Sequence, residues 1–154
     1  SPLMLKDLGV EYVIIGHSER RRYQGETDEM INKKIKAALA VGLKPIFCIE
    51  NISQIKKDLK NIENCKLKIL NSLIVAYEPV FAIGTGKPCE PLIAKKMRDK
   101  IDYQRVLYGG SVYSQNAGDY IEKAGFQGLL VGGASLNPKE FIEIVKRIDF
   151  ISKT

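Results

Sequence analysis

The chain has 154 residues, of which 45% are hydrophobic and 27% charged, and its formal net charge is +6. These fractions are typical of a globular domain, and no apolar run approaches the roughly 18 residues that a membrane span requires. The three cysteines form no Cys-x-x-Cys pair and stand near no group of histidines, so we expect neither a metal site nor a disulfide framework. The same cysteine usage, without an apolar leader segment near the start, predicts a cytoplasmic protein with no membrane partner.

The positive charge allows a nucleic-acid surface as one interpretation. The lysines, however, are concentrated in short segments beside apolar residues at helical spacing, namely 33–36, 55–57, 66–68 and 95–96. Charged residues in such patterns usually form the solvated faces of helices. No aromatic residues alternate with the basic ones as a single-strand-binding surface requires, so we expect no nucleic-acid partner.

Five short apolar runs alternate along the chain with longer amphipathic segments. Continuous hydrophobicity predicts parallel strands buried on both faces, here over residues 12–15, 45–49, 73–77, 105–108 and 128–131. Amphipathic spacing and terminal glycines predict helices over residues 1–8, 28–41, 51–70, 90–101, 114–124 and 138–148. Thr27 is the predicted N-cap of the second helix and Gly42 its terminator. In the last helix, we expect Phe141, Ile142 and Val145 to face inward.

One helix followed by five βα repeats predicts a single α/β domain over residues 1–154, with a parallel sheet and right-handed crossovers. The short connections fit a segment of a barrel at least as well as an open sheet. A closed barrel of eight βα units typically needs about 250 residues, so this chain is too short to form one by itself.

The carboxyl ends of the strands are where parallel α/β folds place functional residues. His17, the only histidine, directly follows the first strand, and this position favours a role in chemistry over a structural one. Glu19 and Arg20 beside it are interpreted as a surface ion pair. Glu78 follows the third strand, where a desolvated carboxylate can act as a general base.

The segment 79–87 has the composition of a lid. It begins with the stiff Pro79, continues through the apolar Val80, Phe81 and Ile83, and ends in Gly-Thr-Gly-Lys. Such a segment can move as a body on hinges at its two ends. The alternative is an ordinary loop with glycines for turn geometry, which leaves the apolar residues unexplained.

Glycine pairs follow the last two strands, in Gly109-Gly110-Ser111 and in Gly132-Gly133. Glycines allow backbone N–H groups to approach an anion, and barrel enzymes commonly bind phosphate after their last two strands. With Glu78 as a base and His17 as a polarising donor, these loops indicate proton abstraction beside a carbonyl on a small phosphorylated substrate.

Four long motifs resemble the triosephosphate isomerase family, and they occur in the family's order. They are Tyr-Val-Ile-Ile-Gly-His-Ser-Glu-Arg-Arg at 12–21, Ala-Tyr-Glu-Pro-Val-Phe-Ala-Ile-Gly-Thr-Gly-Lys at 76–87, Tyr-Gly-Gly-Ser-Val at 108–112 and Leu-Val-Gly-Gly-Ala-Ser-Leu at 130–136. The resemblance implies a TIM-type barrel, present here as its fourth to eighth βα units. It also implies a homodimer that interconverts dihydroxyacetone phosphate and glyceraldehyde 3-phosphate, in glycolysis and gluconeogenesis, without metal or cofactor.

The roles of individual residues come from the same resemblance. In the family's pattern, Glu78 would shuttle the proton and His17 would be the neutral electrophile that stabilises an enediolate. Backbone N–H groups would bind the phosphate at Gly84, Ser111, Gly132 and Gly133. Supporting roles would fall to Ser18, to Glu19 as a partner of the family's catalytic lysine, and to Tyr108, which with Ser111 would bond to the closed lid.

The chain also departs from the family's pattern. No segment matches the motif of the catalytic lysine, so we expect an N-terminally incomplete chain that lacks substantial turnover by itself. Phe81 stands where a tryptophan is usual, and residues 49–51 replace the usual Gly-Glu. The alternative is a non-catalytic half barrel that binds phosphate or associates with a second copy.

Overall fold

The computed structural model describes residues 1–59 and 72–153, which group into two compact units, Ser1–Ala76 and Tyr77–Thr154. The single domain over residues 1–154 stays a prediction. The strands are β1 (Tyr12–Ile15), β2 (Lys44–Ile49), β3 (Ile74–Tyr77), β4 (Val106–Gly110) and β5 (Gly128–Val131).

Helices separate the strands. Those with both ends among the described residues are α1 (Pro2–Asp7), α2 (Ser18–Gln24), α3 (Asp28–Ala40), α4 (Ser53–Asp58), α5 (Pro91–Arg98), α6 (Ser114–Glu122) and α7 (Pro138–Lys153), with 3-10 turns at Val80–Ala82 and Gly133–Leu136. Within the described part of the chain, none of the helices combines the length and apolar character needed to cross a membrane.

The strands are hydrogen-bonded in chain order, β1-β2-β3-β4-β5, and the division between the units falls within β3. In the first unit β1 runs parallel to β2, with Ile14 opposite Ile46, and in the second β4 runs parallel to β5, with Tyr108 opposite Leu129. Parallel strands in chain order with helices between them confirm the predicted α/β class, here as part of a TIM-type barrel.

In the first unit, α3 supplies much of the core. Ile31, Ile35 and Ala38 recur at helical spacing and are at most 3% exposed. The helix begins as predicted, because Thr27 Oγ1 accepts a first-turn N–H at 3.3 Å. It ends at Ala40, two residues before Gly42, whose φ of 76° is one that few other residues adopt.

In the second unit, the core is built around three aromatic rings. The rings of Tyr108 and Tyr120 stack with their centroids 3.7 Å apart, and Phe126 meets Tyr108 edge-on at 5.5 Å. All three residues are at most 2% exposed. Such pairs stabilise a core beyond the area that they bury.

The prediction that every strand is buried on both faces is wrong for β1. Tyr12 and Ile14 are 44% and 48% exposed, whereas Ile15 is 5% exposed. Because side chains alternate along a strand, one face of β1 packs into its unit and the other faces solvent. The four residues of β5 are only partly buried.

The predicted inward face of the last helix is also wrong. Phe141, Ile142 and Val145 are 40–52% exposed, whereas Ile144 is 3% exposed. The inward stripe runs from Ile144 toward Ile151, where α7 packs closely on α6. Apolar residues lie on two sides of this helix, and Gly118 of α6, which has no side chain, makes room for Arg147 and Ile151.

Two other helix predictions need adjustment. Helix α4 covers only part of the predicted 51–70, because it begins at Ser53 and ends at Asp58, and the residues beyond Leu59 up to 70 lie outside the described part. Helix α2 is absent from the predicted elements, which place residues 16–21 only in the connection that follows the first strand. The remaining predicted helices are present, with bounds that differ by a few residues.

Candidate active site

His17 lies at the turn from β1 into α2 in the first unit. Gly16 makes the turn possible with a φ of 75°, in a space where a Cβ would lie 3.1 Å from the Arg21 side chain. His17 is the N-cap of α2, and its Nδ1 accepts the N–H of Glu19 at 3.3 Å. A neutral imidazole that accepts at Nδ1 carries its proton at Nε2, so this geometry makes Nε2 the hydrogen-bond donor.

The predicted ion pair between Glu19 and Arg20 is wrong. Arg20 Nε instead pairs with Glu26 Oε1 at 2.5 Å, and Lys34 donates to the same oxygen. Burial raises the pKa of Glu26, but the hydrogen bonds from Lys34 and Arg20 more than offset this, so the pKa lies below its ordinary value. Glu19 is exposed in the first turn of α2, and Ser18 is 1% exposed.

A second ion pair beside His17 was missed by sequence reasoning. Arg21 NH2 lies 2.6 Å from Asp58 Oδ2, and the Asp58 side chain is fully buried. A signal for its burial exists in the sequence, because Asp58 follows Ile55 by three residues and so lies beside the apolar stripe of α4. Nothing in the sequence pairs it with Arg21, which is 37 residues away.

Glu78 lies directly after β3 in the second unit and is only 2% exposed. The backbone of β4 passes beside it, so that a Cβ at Gly109 would lie 3.1 Å from Glu78 Cγ and 3.6 Å from Oε1. The first glycine of the Gly-Gly-Ser motif therefore makes room for the carboxylate. Sequence reasoning had associated this glycine pair with phosphate only.

The predicted lid segment 79–87 follows Glu78 at once. Val80–Ala82 forms a 3-10 turn in which Phe81 is 60% exposed and the following alanine is buried. Thr85 Oγ1 donates to the Phe81 carbonyl at 2.9 Å and accepts the Lys87 N–H at 3.1 Å, which folds the segment on itself.

Ser111 connects the end of β4 to this segment, because its Oγ donates to the Ala82 carbonyl at 2.7 Å. This is a contact between Ser111 and the lid segment of the kind that the resemblance implies. Asn116 Nδ2 in turn donates to the Ser111 carbonyl at 3.0 Å and holds the turn from α6.

Tyr108 is buried among core residues. Its hydroxyl accepts the Cys89 N–H at 3.2 Å, and the Tyr120 hydroxyl donates to the Cys89 carbonyl at 2.6 Å. Burial raises the pKa of Tyr108. These bonds fix the backbone two residues beyond the lid segment, whereas a bond from Tyr108 to the lid itself stays a prediction.

Three of the candidate phosphate-binding glycines have open surroundings. A Cβ at Gly84, Gly132 or Gly133 would meet no atom within 4 Å, so the backbone at each is accessible to a ligand. Ser135 stabilises the turn after β5, since both its N–H and its Oγ donate to the Gly132 carbonyl, at 2.9 and 2.7 Å. Among the described residues, no group of three or more His, Cys, Asp or Glu could hold a metal ion.

Comparison with known proteins identifies the family. The family model described as triosephosphate isomerase matches residues 1–148. The chain belongs to the triosephosphate isomerase family. It is 44% identical to the triosephosphate isomerase of Carboxydothermus hydrogenoformans over 170 residues, covering 95% of this chain and 68% of that protein. Identity to the Fusobacterium nucleatum protein of the same name is 43%, with the same coverage.

Family membership confirms the resemblance drawn from the four motifs and identifies the chain as one of a family of isomerases. A third relative, the triosephosphate isomerase of Thermoanaerobacter sp. strain X514, is 41% identical over 94% of this chain and 68% of its own length. The roles of His17, Glu78 and the glycine loops stay predictions at this point.

Proposed function

We propose that this chain acts as a triosephosphate isomerase, interconverting dihydroxyacetone phosphate and glyceraldehyde 3-phosphate through an enediolate. The observation that carries the proposal is the buried Glu78, 2% exposed at the carboxyl end of β3 in a chain of this family. Burial keeps bulk water away from the carboxylate, and a positioned side chain in such a site can take a proton from carbon.

Glu78 removes the proton from one carbon of the triose and returns it to the neighbouring carbon. The electrons of the broken C–H bond form the enediolate, whose oxygens then carry the negative charge. His17 stabilises that charge by donating from Nε2, and its Nδ1 contact with the Glu19 N–H supports this direction of the hydrogen bond. The carbon-bound proton returns to the neighbouring carbon from the same carboxyl group, and the hydroxyl proton of the first carbon passes to the oxygen of the second. One C–H and one O–H bond are thus broken and one of each is formed, so the reaction needs no external oxidant or reductant.

The phosphate of the substrate is held by backbone N–H groups rather than by a metal ion. The open backbone at Gly84, Gly132 and Gly133 supports this role, because an anion can approach each N–H closely. Ser111 supports it from the turn after β4, where its hydroxyl already holds the lid segment.

Location and assembly are part of the same proposal. The relatives' name, triosephosphate isomerase, supports a triose phosphate substrate and a place in glycolysis and gluconeogenesis. A cytoplasmic location, and a homodimer in the complete enzyme, are proposed on the resemblance alone. Analytical ultracentrifugation of the purified protein tests the homodimer, for which the measured mass should be about twice that of one chain.

Proton exchange on the substrate tests the activity. The protein is incubated with dihydroxyacetone phosphate in D₂O, and loss of the C1 proton signal is followed by NMR. Because no segment matches the family's lysine motif, we expect slow exchange above the buffer background, and we expect Glu78→Gln to return it to that background, since the general base is then absent.

Glu90→Gln is the matched control, because Glu90 is an exposed carboxylate of the same unit, and its exchange rate should equal that of the wild type. Wild-type exchange at the background rate would contradict the proposal, as would undiminished exchange in Glu78→Gln. Phosphate binding without exchange would favour the non-catalytic alternative.

A further inference from the structure

We propose that Arg21, held by the buried Asp58, is the positioning residue that fixes the backbone and ring orientation of His17. The inference rests on the proposed function, because the orientation of His17 matters for that reaction. It assigns a task to a buried ion pair that the proton transfer itself does not use.

Arg21 bonds to the backbone on both sides of the Cα of His17. The Arg21 N–H donates to the His17 carbonyl at 3.2 Å, as part of the first turn of α2. The Arg21 Nε donates to the Gly16 carbonyl at 2.8 Å. Since the two carbonyls flank His17, these contacts restrict the two backbone dihedrals from which its imidazole projects.

Arg21 itself is held from three further elements, α3, α4 and β2. Its NH1 donates to Asp28 at 2.9 Å and its NH2 to Asp58 at 2.6 Å, while NH2 also lies 3.5 Å from the Cys48 carbonyl of β2. The Arg21 side chain is 10% exposed. A planar guanidinium that satisfies four acceptors has little freedom to move, and its position ties the end of β1 to the end of β2.

Asp58 is a costly residue to bury, and this argues for a task beyond stability. Its Oδ1 is buried without a hydrogen-bond partner among the described residues. Replacing a buried ion pair by apolar residues is often neutral or stabilising, so such a pair is weak support for stability and better support for a fixed geometry. Asn32 Nδ2 donates to the Asp58 carbonyl at 2.6 Å and holds the residue in place from α3.

The single histidine makes the proposal testable without an activity assay. The nitrogen signals of His17 are recorded by ¹⁵N NMR in the wild type, Arg21→Lys, Asp58→Asn and Arg22→Lys. The last variant is the matched control, because Arg22 contacts only Glu50 at 3.7 Å among described residues and is 39% exposed. Lysine keeps the charge of Arg21 but not its planar set of donors.

We expect the wild type to show a protonated Nε2 and an accepting Nδ1. Arg21→Lys and Asp58→Asn should move both signals toward those of a freely exchanging imidazole, whereas Arg22→Lys should not. Unchanged signals in folded Arg21→Lys would overturn the proposal, even if that variant melts at a lower temperature. Should Arg21→Lys fail to fold, Asp58→Asn decides by the same comparison.

Kinetics provides a second readout that separates this inference from the proposed function. In Arg21→Lys, the rate of proton exchange at saturating dihydroxyacetone phosphate should fall about tenfold, a loss expected for a displacement of a few tenths of an ångström, with the half-saturating concentration within twofold. An unchanged exchange rate in Arg21→Lys would overturn the positioning role. Absent wild-type activity would refute the proposed function, while the NMR comparison would still decide whether Arg21 orients His17.

Discussion

Replacing Asp58 with asparagine removes a buried carboxyl group whose titration is linked to folding. Burial, opposed by the Arg21 guanidinium, raises the pKa of Asp58 from 3.8 to about 6. The folded protein therefore binds this proton more tightly than the unfolded chain does. Between pH 4 and pH 6, the contribution of Asp58 to the free energy of unfolding falls as pH rises, because the folded state has to give up a proton that the unfolded chain has already lost.

The difference of about two pKa units corresponds to about 3 kcal/mol, since one unit is worth 1.36 kcal/mol. The wild type should therefore lose up to about 3 kcal/mol relative to Asp58→Asn when pH rises from 4 to 7. The lowered pKa of Glu26 makes the free energy of unfolding change with pH in the opposite direction. This change is the same in both proteins, so it cancels in the difference between them.

Urea unfolding followed by circular dichroism at several pH values between 4 and 7 measures this difference. Asp99→Asn is the control, because Asp99 is exposed in an i,i+4 pair with Lys95 and its removal should leave the pH dependence unchanged. A wild type that gained stability relative to Asp58→Asn as pH rises would refute the reasoning, since it would mean that the folded state favours the charged carboxylate.

Two further substitutions test the second unit. Gly109→Ala places a Cβ 3.1 Å from Glu78 Cγ, so proton exchange on dihydroxyacetone phosphate should fall roughly three- to tenfold while the free energy of unfolding stays within about 1 kcal/mol. An unchanged exchange rate would show that the carboxylate can shift without effect. Tyr120→Phe leaves the buried Cys89 carbonyl without its donor and should lower the free energy of unfolding in urea by about 1–3 kcal/mol. Tyr23→Phe, at an 80% exposed position, should change it by less than 0.5 kcal/mol, and equal effects of the two would contradict this assignment.

The sequence allowed prediction of those features that depend on local pattern. His17 and Glu78 each follow an apolar run that forms a strand, and the rule that parallel strands end at functional residues places both without a structure. The cap and the terminator of α3 can be predicted equally well, because Thr27 acts through its side chain on a residue three positions on and Gly42 through its own backbone conformation.

Features that depend on tertiary packing were missed or wrong. The sequence around Arg21 and Asp58 does not indicate that they pair, since they come into contact only in the folded unit. Ile144 faces inward rather than its exposed neighbour Val145, and Gly118 of α6 makes room for Ile151 on the same helix, a fit that no property of α7 itself reveals. The association of Gly109 with phosphate alone overlooked a carboxylate 31 residues earlier in the chain.

The composition of the lid segment has a consequence for spectroscopy. The chain contains no tryptophan, and Phe81 is an aromatic side chain on the 3-10 turn, 60% exposed. Phe81→Trp would introduce a single fluorophore into a protein that is otherwise dark at tryptophan wavelengths. Its emission wavelength would report the solvent exposure of this turn directly. The rate of a blue shift after addition of a phosphorylated ligand would give the rate at which the segment moves, separately from the rate of the reaction.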